Sequence, residues 1–226
     1  MTDAQMYPIN DLYASVQGEG THTGVPMVIV RLHGCPVGCP FCDTKETWHR
    51  DAATLLPPGE RWQGTSPQWT QLSGTAIARL ARVEGPHLRW ILLTGGEPAL
   101  QPLRALTDAL HAQGFKVALE TSGTALGFLG AGIDHVCVSP KVGMPGGRVV
   151  DRAAVHAAHE IKWLIGKAAD LDRLHAFLSE YEVPGATSIA LQPISANEKA
   201  TQLALDAALE HGWRVSIQVH KYLNVR

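Results

Sequence analysis

The chain has 226 residues, of which 45% are hydrophobic and 18% charged, and its 19 basic and 21 acidic residues give a net charge of -2. This balance argues against a basic protein that binds nucleic acid or an anionic membrane surface. The sequence has no apolar run of the ~18–20 residues that cross a membrane, and its first residues lack the features of a secretory signal. We therefore expect a soluble, cytoplasmic protein with no nucleic-acid or membrane partner.

Apolar runs typical of buried strands alternate along the chain with segments of helical periodicity. The predicted strands are 26–32, 90–94, 115–119, 135–139, 160–165, 188–192 and 214–218. The clearest helices, 101–113 and 197–211, each end at a glycine, a common C-terminal stop. This alternation favours βα units and a parallel sheet. The sequence thus predicts an α/β fold with a single domain over 1–226, in which 48–71 form an irregular insertion.

Polar and turn-forming residues follow most of the predicted strands. The segments in question are 94–98, 120–123, 139–141, 192–195 and 218–221. The carboxyl ends of parallel strands meet at one edge of a sheet, where α/β proteins bind ligands. We therefore expect an open or partial (β/α) barrel with a lateral opening and a site at this edge.

Three of the four cysteines lie in one short segment, Cys35, Cys39 and Cys42, with the spacing C-x3-C-x2-C. Clustered thiols in a chain with its own core indicate metal ligands or redox groups. A zinc-stabilised loop is one alternative, although structural zinc prefers four ligands, usually in C-x2-C pairs. A [4Fe-4S] cluster bound by three thiolates would leave one iron open to a small molecule. Cys137, between two valines of a predicted strand, is interpreted as core packing, with a fourth ligand as the alternative.

The cysteine spacing, with Phe41 directly before the third cysteine, resembles the radical S-adenosylmethionine (SAM) enzymes. The Gly-Gly-Glu-Pro segment at 95–98, following a predicted strand, is similar to the segment of that family that holds the methionine end of SAM. The resemblance implies a [4Fe-4S] cluster bound by Cys35, Cys39 and Cys42, whose open iron chelates SAM. One electron then cleaves SAM to methionine and a 5'-deoxyadenosyl radical. No catalytic side chain beyond this cofactor radical is implied.

Four further segments resemble the 7-carboxy-7-deazaguanine synthase family within this superfamily. They are 12–20, 42–44, 139–141 and 220–224, and the likeness covers nearly the whole chain, weakest over 48–71. It implies a radical SAM barrel reduced in helices, a homodimer, and an electron donor such as flavodoxin or ferredoxin. The implied reaction is a ring contraction of 6-carboxy-5,6,7,8-tetrahydropterin to 7-carboxy-7-deazaguanine with loss of ammonia. This is a step in the biosynthesis of queuosine and other 7-deazapurines.

The resemblance also implies which residues bind each ligand. The substrate would contact Val16, Gln17, Gly18, Glu19, Arg31, Thr94, His220 and the last residue, Arg226. SAM would contact Phe41, Cys42, Asp43, Gly96, Glu97, Ser139, Pro140, Lys141, Gln192, Pro193, Ile194 and Ser195. The hydroxyl of Thr44, with the substrate carboxylate, would bind Mg²⁺, which prefers hard oxygen ligands.

Several of these residues have a second interpretation. Gln17 and Glu19 could belong to a turn, Thr94 could be an ordinary strand residue, 139–141 and 192–195 could be exit turns, and His220 could cap the last strand.

Arg31 also has a second interpretation, and Arg226 departs from the family pattern. Arg31 interrupts an apolar strand, where an arginine is costly unless paired. It is interpreted as a clamp on the substrate carboxylate, with an inter-strand salt bridge as the alternative. The family pattern ends near Leu-Asn-Ile-Pro, whereas this chain ends Leu-Asn-Val-Arg. The terminal carboxylate of Arg226 can accept hydrogen bonds from the pterin whatever its side chain.

Two other functions are compatible with parts of the sequence. A glycyl-radical activating enzyme of the same superfamily would share the cysteine loop, and a non-catalytic iron–sulfur or zinc-binding module would share only the cysteines. The segment 17–20 and the C-terminal His-Lys pair favour a small-molecule substrate over a protein substrate. A non-catalytic module would not explain the Gly-Gly-Glu-Pro segment or the polar strand ends.

Overall fold

The computed structural model of the protein describes residues 5–57, 66–194 and 197–225. Its strands are β1 (Met6–Val16), β2 (Pro26–Leu32), β3 (Thr70–Ser73), β4 (Trp90–Gly95), β5 (Lys116–Thr121), β6 (His135–Val138), β7 (Glu160–Ile165), β8 (Ser188–Pro193) and β9 (Arg214–Val215). Its α-helices are α1 (Gly74–Glu84), α2 (Arg104–Ala112), α3 (Arg152–His156), α4 (Ala168–Glu180), α5 (Glu198–His211) and α6 (Val219–Leu223). No helix of the described chain is both long enough and apolar enough to cross a membrane.

The strands form one nine-stranded sheet in the order β3-β1-β2-β4-β5-β6-β7-β8-β9. Neighbours from β2 to β9 run parallel, whereas β1 is antiparallel to both β2 and β3. The sheet is not closed, since β3 and β9 are edge strands. The predicted α/β partial barrel is confirmed, and its carboxyl edge gathers the ends of seven parallel strands.

Alternate residues of the parallel strands face two different environments. On β4, Ile91 and Leu93 belong to the main hydrophobic core, together with residues of the helices. Leu92, between them, packs on the opposite face in a smaller cluster that includes Met27 and Ile29 of β2. Because side chains alternate along a strand, Arg31 of β2 lies on the same face as that smaller cluster. This second face lines the inside of the partial barrel.

All seven predicted strands are present, with small differences in length. β9 is shorter than predicted: it ends at Val215, and the chain has turned into α6 by Val219. Asn197 caps α5 through its side chain, and the helix stops at Gly212, whose φ of 69° is in the left-handed region. The predicted end of this helix is therefore confirmed, because glycine adopts the left-handed conformation that stops a helix more easily than other residues.

Strands β1 and β3 were not predicted. The pairing of β1 with β2 shifts register between Ile9 and Asp11, so the inside–outside alternation that marks a strand in a sequence is broken there. The segment 48–71 is irregular over most of its described residues, with one 3-10 turn at Ala52–Thr54. Its last two residues, however, begin β3, which pairs with β1. Residues 58–65 lie outside the described part of the chain.

Candidate active site

The carboxyl edge of the sheet opens onto two adjoining cavities of about 230 Å³ each. We call the first the cysteine cavity, because Cys35, Cys39 and Cys42 line it. We call the second the Arg31 cavity. The two share part of their walls, formed by Glu19, Asp43, Thr94, Gly95 and Glu120. A ligand in one cavity therefore lies next to a ligand in the other.

The three clustered cysteines are free thiols that line one cavity. Burial raises the pKa of Cys35 to about 11. Burial also raises the pKa of Cys39, against the opposing effect of the Lys141 charge. The sulfur of Cys42 accepts N–H groups from the Trp48 indole and the Thr44 backbone, each at 3.4 Å. Such donors stabilise a thiolate once a metal has displaced its proton.

A cluster and a single zinc ion make different demands on the three thiols. In residues 5–57, 66–194 and 197–225, no three His, Cys, Asp or Glu side chains are placed to hold one metal ion. Tetrahedral zinc needs all its ligands within about 2.3 Å of one centre, whereas the thiolates of a cluster each bind a different iron.

Cys137 does not belong to the thiol group of the loop. It is buried on β6, as predicted, but it faces the inside of the barrel, beside Glu160 and His135. It does not line the cysteine cavity. The prediction of burial is confirmed, although its surroundings there are polar and not the apolar core.

Two glycines at the end of β4 let the backbone approach the cysteine loop. A Cβ on Gly96 would lie 2.5 Å from the Gly34 carbonyl oxygen, and Gly95 has a φ of 105°. The N–H of Gly96 binds the Leu32 carbonyl, and that of Glu97 binds the Gly34 carbonyl, both at 2.9 Å. The turn therefore fixes the start of the cysteine loop against the sheet, and only glycine permits this contact.

Glu97 is almost fully buried, with 2% exposure, and its carboxylate is used within the fold. One oxygen accepts the Ala99 N–H at 3.0 Å and the Thr121 hydroxyl at 2.6 Å. The other accepts the N–H of Ser122 at 2.8 Å and also its hydroxyl. Glu97 lines the cysteine cavity, but these bonds tie the turn after β4 to the end of β5.

Arg31 is the main positive charge of its cavity. Its Nε and Nη2 donate to the Tyr13 hydroxyl, at 3.3 and 3.1 Å. In the described part of the chain it forms no salt bridge, so the alternative of an inter-strand ion pair is not found. Its register partner on β4 is Thr94, which lines both cavities. A half-buried guanidinium without an anion can bind an anionic ligand.

The segment after β1 closes the other side of the Arg31 cavity. A Cβ on Gly18 would collide with His220 of α6, since it would lie 2.0 Å from Nδ1. The Gly18 carbonyl also accepts the Val219 N–H at 2.9 Å. The glycine thus allows α6 to pack here and brings His220 to the cavity wall.

A buried network of charges forms the shared wall. Lys162 of β7 donates to Glu120 at 2.9 Å and also to Glu19. Burial would raise the pKa of Glu19, but the charge and hydrogen bond of Lys162 outweigh it and lower this pKa to about 2. Burial would also lower the pKa of Lys162, yet the two carboxylates raise it well above its ordinary value. Glu19 and Lys162 are therefore charged at neutral pH.

Three comparisons place the chain among known proteins. Residues 29–173 match the model of the radical SAM superfamily. The chain is 39% identical to 7-carboxy-7-deazaguanine synthase of Escherichia coli (strain K12), covering 97% of this chain and 99% of that protein. The protein of the same name from Bacteroides thetaiotaomicron is 35% identical, with 98% and 100% covered. The crystal structure of QueE from Escherichia coli superimposes with a TM-score of 0.86 at 36% identity, covering 94% of each chain.

The chain belongs to the 7-carboxy-7-deazaguanine synthase family of radical SAM enzymes. This membership implies a [4Fe-4S] cluster and SAM. The described residues fit both, since three free thiols line one cavity, N–H donors reach the Cys42 sulfur, and the Gly95–Gly96 turn leaves backbone exposed at the wall. The family also argues against the two alternatives, an activating enzyme and a non-catalytic module.

The structure brings most of the sequence-predicted site residues to the two cavities. Those in the cysteine cavity are Glu19, Cys35, Cys39, Phe41, Cys42, Asp43, Thr94, Gly96, Glu97, Ser139, Lys141, Gln192, Pro193 and Ile194. Those in the Arg31 cavity are Val16, Gln17, Gly18, Glu19, Arg31, Asp43, Thr44, Thr94 and His220. Pro140 lines neither cavity, and Ser195 and Arg226 lie outside the described residues. The ligand that each one binds stays a prediction.

Sequence reasoning missed Lys162 as a site residue, and it placed Glu120 among the strand ends at the site without assigning it a role. Lys162 lies between Ile161 and Trp163 in an apolar run, so it presents the same signal that singled out Arg31. A lone charge inside a buried strand needs a partner, and applying that rule a second time would have found it. Tyr13, which holds Arg31, had no comparable signal, because tyrosine is common in strands.

Proposed function

We propose that this chain converts 6-carboxy-5,6,7,8-tetrahydropterin to 7-carboxy-7-deazaguanine with loss of ammonia, in queuosine and 7-deazapurine biosynthesis. The observation that carries the proposal is Arg31, a guanidinium without a salt-bridge partner among the described residues, in a cavity that shares a wall with the cysteine cavity. This arrangement suits a carboxylated substrate lying beside the cofactor. The name shared by relatives such as the Escherichia coli protein supports the same reaction.

The Arg31 cavity has opposite charges on its walls, as this substrate requires. Arg31 supplies a fork-shaped donor for the carboxylate. Glu19 and Glu120 supply acceptors, and the 2-amino-4-oxo ring of a pterin presents N–H donors. Gln17 adds a side-chain amide, which can donate and accept. The substrate is thus bound at both ends by charged groups, in agreement with a small polar molecule and not a protein.

The cysteine cavity would hold the cofactor. Cys35, Cys39 and Cys42 would each bind one iron, and SAM would contact the exposed Phe41 and the backbone around Gly96. Further contacts would come from Cys42, Asp43, Glu97, Ser139, Pro140, Lys141, Gln192, Pro193, Ile194 and Ser195. When bound, cluster and SAM together supply the one-electron chemistry that begins the ring contraction. The Lys141 ammonium, which donates to the Ser139 hydroxyl at 2.6 Å, places a positive charge near this anionic centre.

Magnesium would bind between the protein and the substrate. The Thr44 side chain lines the Arg31 cavity, and its hydroxyl oxygen is a hard ligand of the kind that Mg²⁺ prefers. The carboxylate of the substrate would complete the site with water. Because the substrate supplies a ligand, the protein alone need not hold the ion.

The remaining partners follow from the same proposal. The chain would act as a homodimer in the cytoplasm, reduced by a small electron-transfer protein such as flavodoxin or ferredoxin. The last residue, Arg226, would reach the pterin through its terminal carboxylate. Deletion of Arg226, compared with its replacement by alanine, would separate a role of the carboxylate position from one of the side chain.

The decisive experiment is an anaerobic assay of the reconstituted protein. We expect a brown, oxygen-sensitive chain with about four irons. With a reductant, SAM, Mg²⁺ and 6-carboxytetrahydropterin, it should form a deazapurine chromophore and release ammonia in equal amounts. The Cys39→Ala variant, with one iron ligand fewer, is the matched control and should form neither. Cleavage of SAM without a deazapurine product would refute the substrate, and tight zinc in place of iron would refute the reaction class.

A further inference from the structure

Lys162 is a lysine buried in the middle of a strand, with 4% of its side chain exposed. Side chains on β7 alternate, so Glu160, Lys162 and Leu164 all face the inside of the barrel. Its ammonium donates to one oxygen of Glu120 at 2.9 Å and to one oxygen of Glu19. A buried ammonium is costly unless it is paired and hydrogen-bonded, and here two carboxylates from other segments pair with it.

The two carboxylates are held on the wall between the cavities, and the ammonium lies behind them. Glu19 and Glu120 line both cavities, whereas Lys162 lines only the cysteine cavity. One Glu19 oxygen also accepts amide N–H groups from Gln218 at 2.8 Å and Gln192 at 3.2 Å. Each carboxylate is therefore fixed by the lysine from one side and faces the Arg31 cavity from the other.

One carboxylate oxygen in this network remains open to a ligand. Oε1 of Glu120 accepts from Lys162 and from the Gln17 amide at 3.0 Å. In the described part of the chain, no donor reaches Oε2 of Glu120. The side chain of Glu120 is 23% exposed, so this oxygen is directed to space that a ligand can enter.

We propose that Lys162 is a positioning residue for the substrate: it holds Glu19 and Glu120 in place and supplies their counter-charge, so that these carboxylates accept the N–H groups of the pterin ring. The inference rests on the proposed function, which places the substrate carboxylate at Arg31 and the ring toward the shared wall. Lys162 itself needs no contact with the substrate. Without the lysine, the carboxylates of Glu19 and Glu120 would repel each other, and the more buried Glu19 would take up a proton.

The electrostatics of the site agree with this role. The largest effect on the pKa of Glu19 is burial, which raises it, and Lys162 is the main group that reverses this effect. Removing the lysine leaves only the Gln218 hydrogen bond and His220 to oppose the effect of burial on this pKa. The charged or titratable groups around this network are Glu19, Arg31, Asp43, Glu120, Cys137, Lys141, Glu160 and His220. Of the lysines, Lys162 alone donates to Glu19 or Glu120 among the described residues.

The test uses the reconstituted enzyme with Lys162→Met, which keeps the length and removes the charge. The probe is 6-carboxypterin, a fully oxidised, unreactive analogue with the same carboxylate and pyrimidine ring. Its Kd is measured from about pH 5 to about pH 7, below the pH at which the oxidised ring loses an N–H proton. We expect a wild-type affinity that changes little over this range. The variant should bind roughly tenfold more weakly at the acid end and recover as the pH rises, because the carboxylate becomes ionised again. Turnover should show the same pattern in KM, with a smaller change in kcat.

Three further variants separate positioning from packing. Glu19→Gln/Lys162→Met lacks the group expected to titrate, so its affinity should no longer vary with pH. Lys162→Arg keeps the charge and should keep the flat profile of the wild type, whatever its affinity. Lys116→Met, an exposed lysine on β5, controls for the loss of a lysine. If Lys162→Met does not fold, Lys162→Gln takes its place.

The pH dependence of binding in these variants either supports or overturns the role proposed for Lys162. A pH-dependent loss in Lys162→Met that disappears in the double variant supports the inference. Unchanged binding, or a weaker affinity that is equal at every pH, overturns it, because either result leaves Lys162 with a packing role only. Failure of the wild-type enzyme to form a deazapurine refutes the proposed function instead, and the two failures are distinct.

Discussion

The Glu97 carboxylate holds Ser122 by two hydrogen bonds, one from the backbone N–H at 2.8 Å and one from the hydroxyl. Ser122 directly follows β5, and Glu97 follows the glycine pair after β4. The ends of two parallel strands are therefore joined at the wall of the cysteine cavity. With the donors of Thr121 and Ala99 included, the carboxylate accepts four hydrogen bonds, two at each oxygen.

The Glu97→Gln variant should destabilise this edge of the sheet. An amide accepts at only one of its two heavy atoms and brings N–H groups toward donors that already point at the site. We expect a loss of about 1–3 kcal/mol in the free energy of unfolding, the usual cost of unsatisfied buried groups. Urea unfolding of the metal-free chain measures it, with Glu210→Gln on the exposed face of α5 as control. Equal stability of the two variants would contradict the assignment.

The Trp48→Phe variant should change the cluster without removing it. The Trp48 indole donates to the Cys42 sulfur at 3.4 Å, and hydrogen bonds to cluster sulfurs stabilise the reduced, more negative state. Loss of the donor should therefore lower the reduction potential while leaving the iron content unchanged. A redox titration followed by electron paramagnetic resonance gives the potential, and Trp213→Phe serves as a distant control. A potential equal to that of the wild type would show that the bond is absent in the loaded enzyme.

The parallel part of the sheet was predictable because each of its strands carries a local signal. Strand β7, from Glu160 to Ile165, is an apolar run with turns on both sides, and its observed bounds are those predicted. Strand β1 has no such signal, since its register shift and its polar residues disturb the alternation. Its position depends on pairing with β2 and β3, which is a long-range property.

The residues of the candidate site also differ in whether a local sequence signal reveals them. The cysteine loop and the Gly-Gly-Glu-Pro turn are contiguous motifs, so their residue types and spacing reveal them. The Glu19–Lys162–Glu120 network joins three segments that are far apart in the chain, and its hydrogen bonds depend on the register of the sheet. Sequence can indicate that Lys162 needs a partner, but only the fold shows that it has two.

The Arg31→Lys variant should bind substrate more weakly under the proposed function. Lysine keeps the charge, but it lacks the planar guanidinium, which can donate to a carboxylate while also donating to Tyr13. Loss of one charge-assisted hydrogen bond, about 1.5–3 kcal/mol, corresponds to a KM roughly 10- to 100-fold higher. Steady-state kinetics with saturating SAM measure the change, and Arg79→Lys on the exposed face of α1 is the matched control. A KM within about twofold of the wild type would place the carboxylate elsewhere.

The Thr44→Ala variant tests the proposed magnesium site. Without the hydroxyl, activity should lose most of its dependence on Mg²⁺, whereas the visible spectrum of the cluster should stay unchanged. Thr44→Ser, which keeps the oxygen ligand, should retain the dependence. The measurement is product formation across a magnesium titration, with iron content as a check. If alanine and serine variants respond to magnesium like the wild type, the ion does not bind at Thr44.

The last prediction concerns Glu160, whose side chain is 1% exposed and accepts the Thr21 N–H at 2.9 Å. Burial would raise its pKa, but the His135 ring, with Nε2 3.4 Å from Oε2, the hydrogen bonds from Thr21 and the charge of Lys162 lower it from 4.5 to about 2. A carboxyl with a lowered folded-state pKa contributes stability that is complete above the unfolded value. That stability disappears as the pH falls toward the folded value, so the window lies between 4.5 and about 2.

The Glu160→Gln variant should therefore differ most from the wild type above about pH 5. The pH-dependent part of the difference should approach ~3 kcal/mol, because each unit of pKa shift corresponds to about 1.4 kcal/mol, and it should shrink as the pH falls. Urea unfolding of both proteins at a series of pH values measures it, with the exposed Glu180→Gln variant expected to follow the wild type throughout. A difference that stays constant from about pH 5 to about pH 2 would mean that Glu160 is not held ionised by its partners, since linkage requires the two curves to converge.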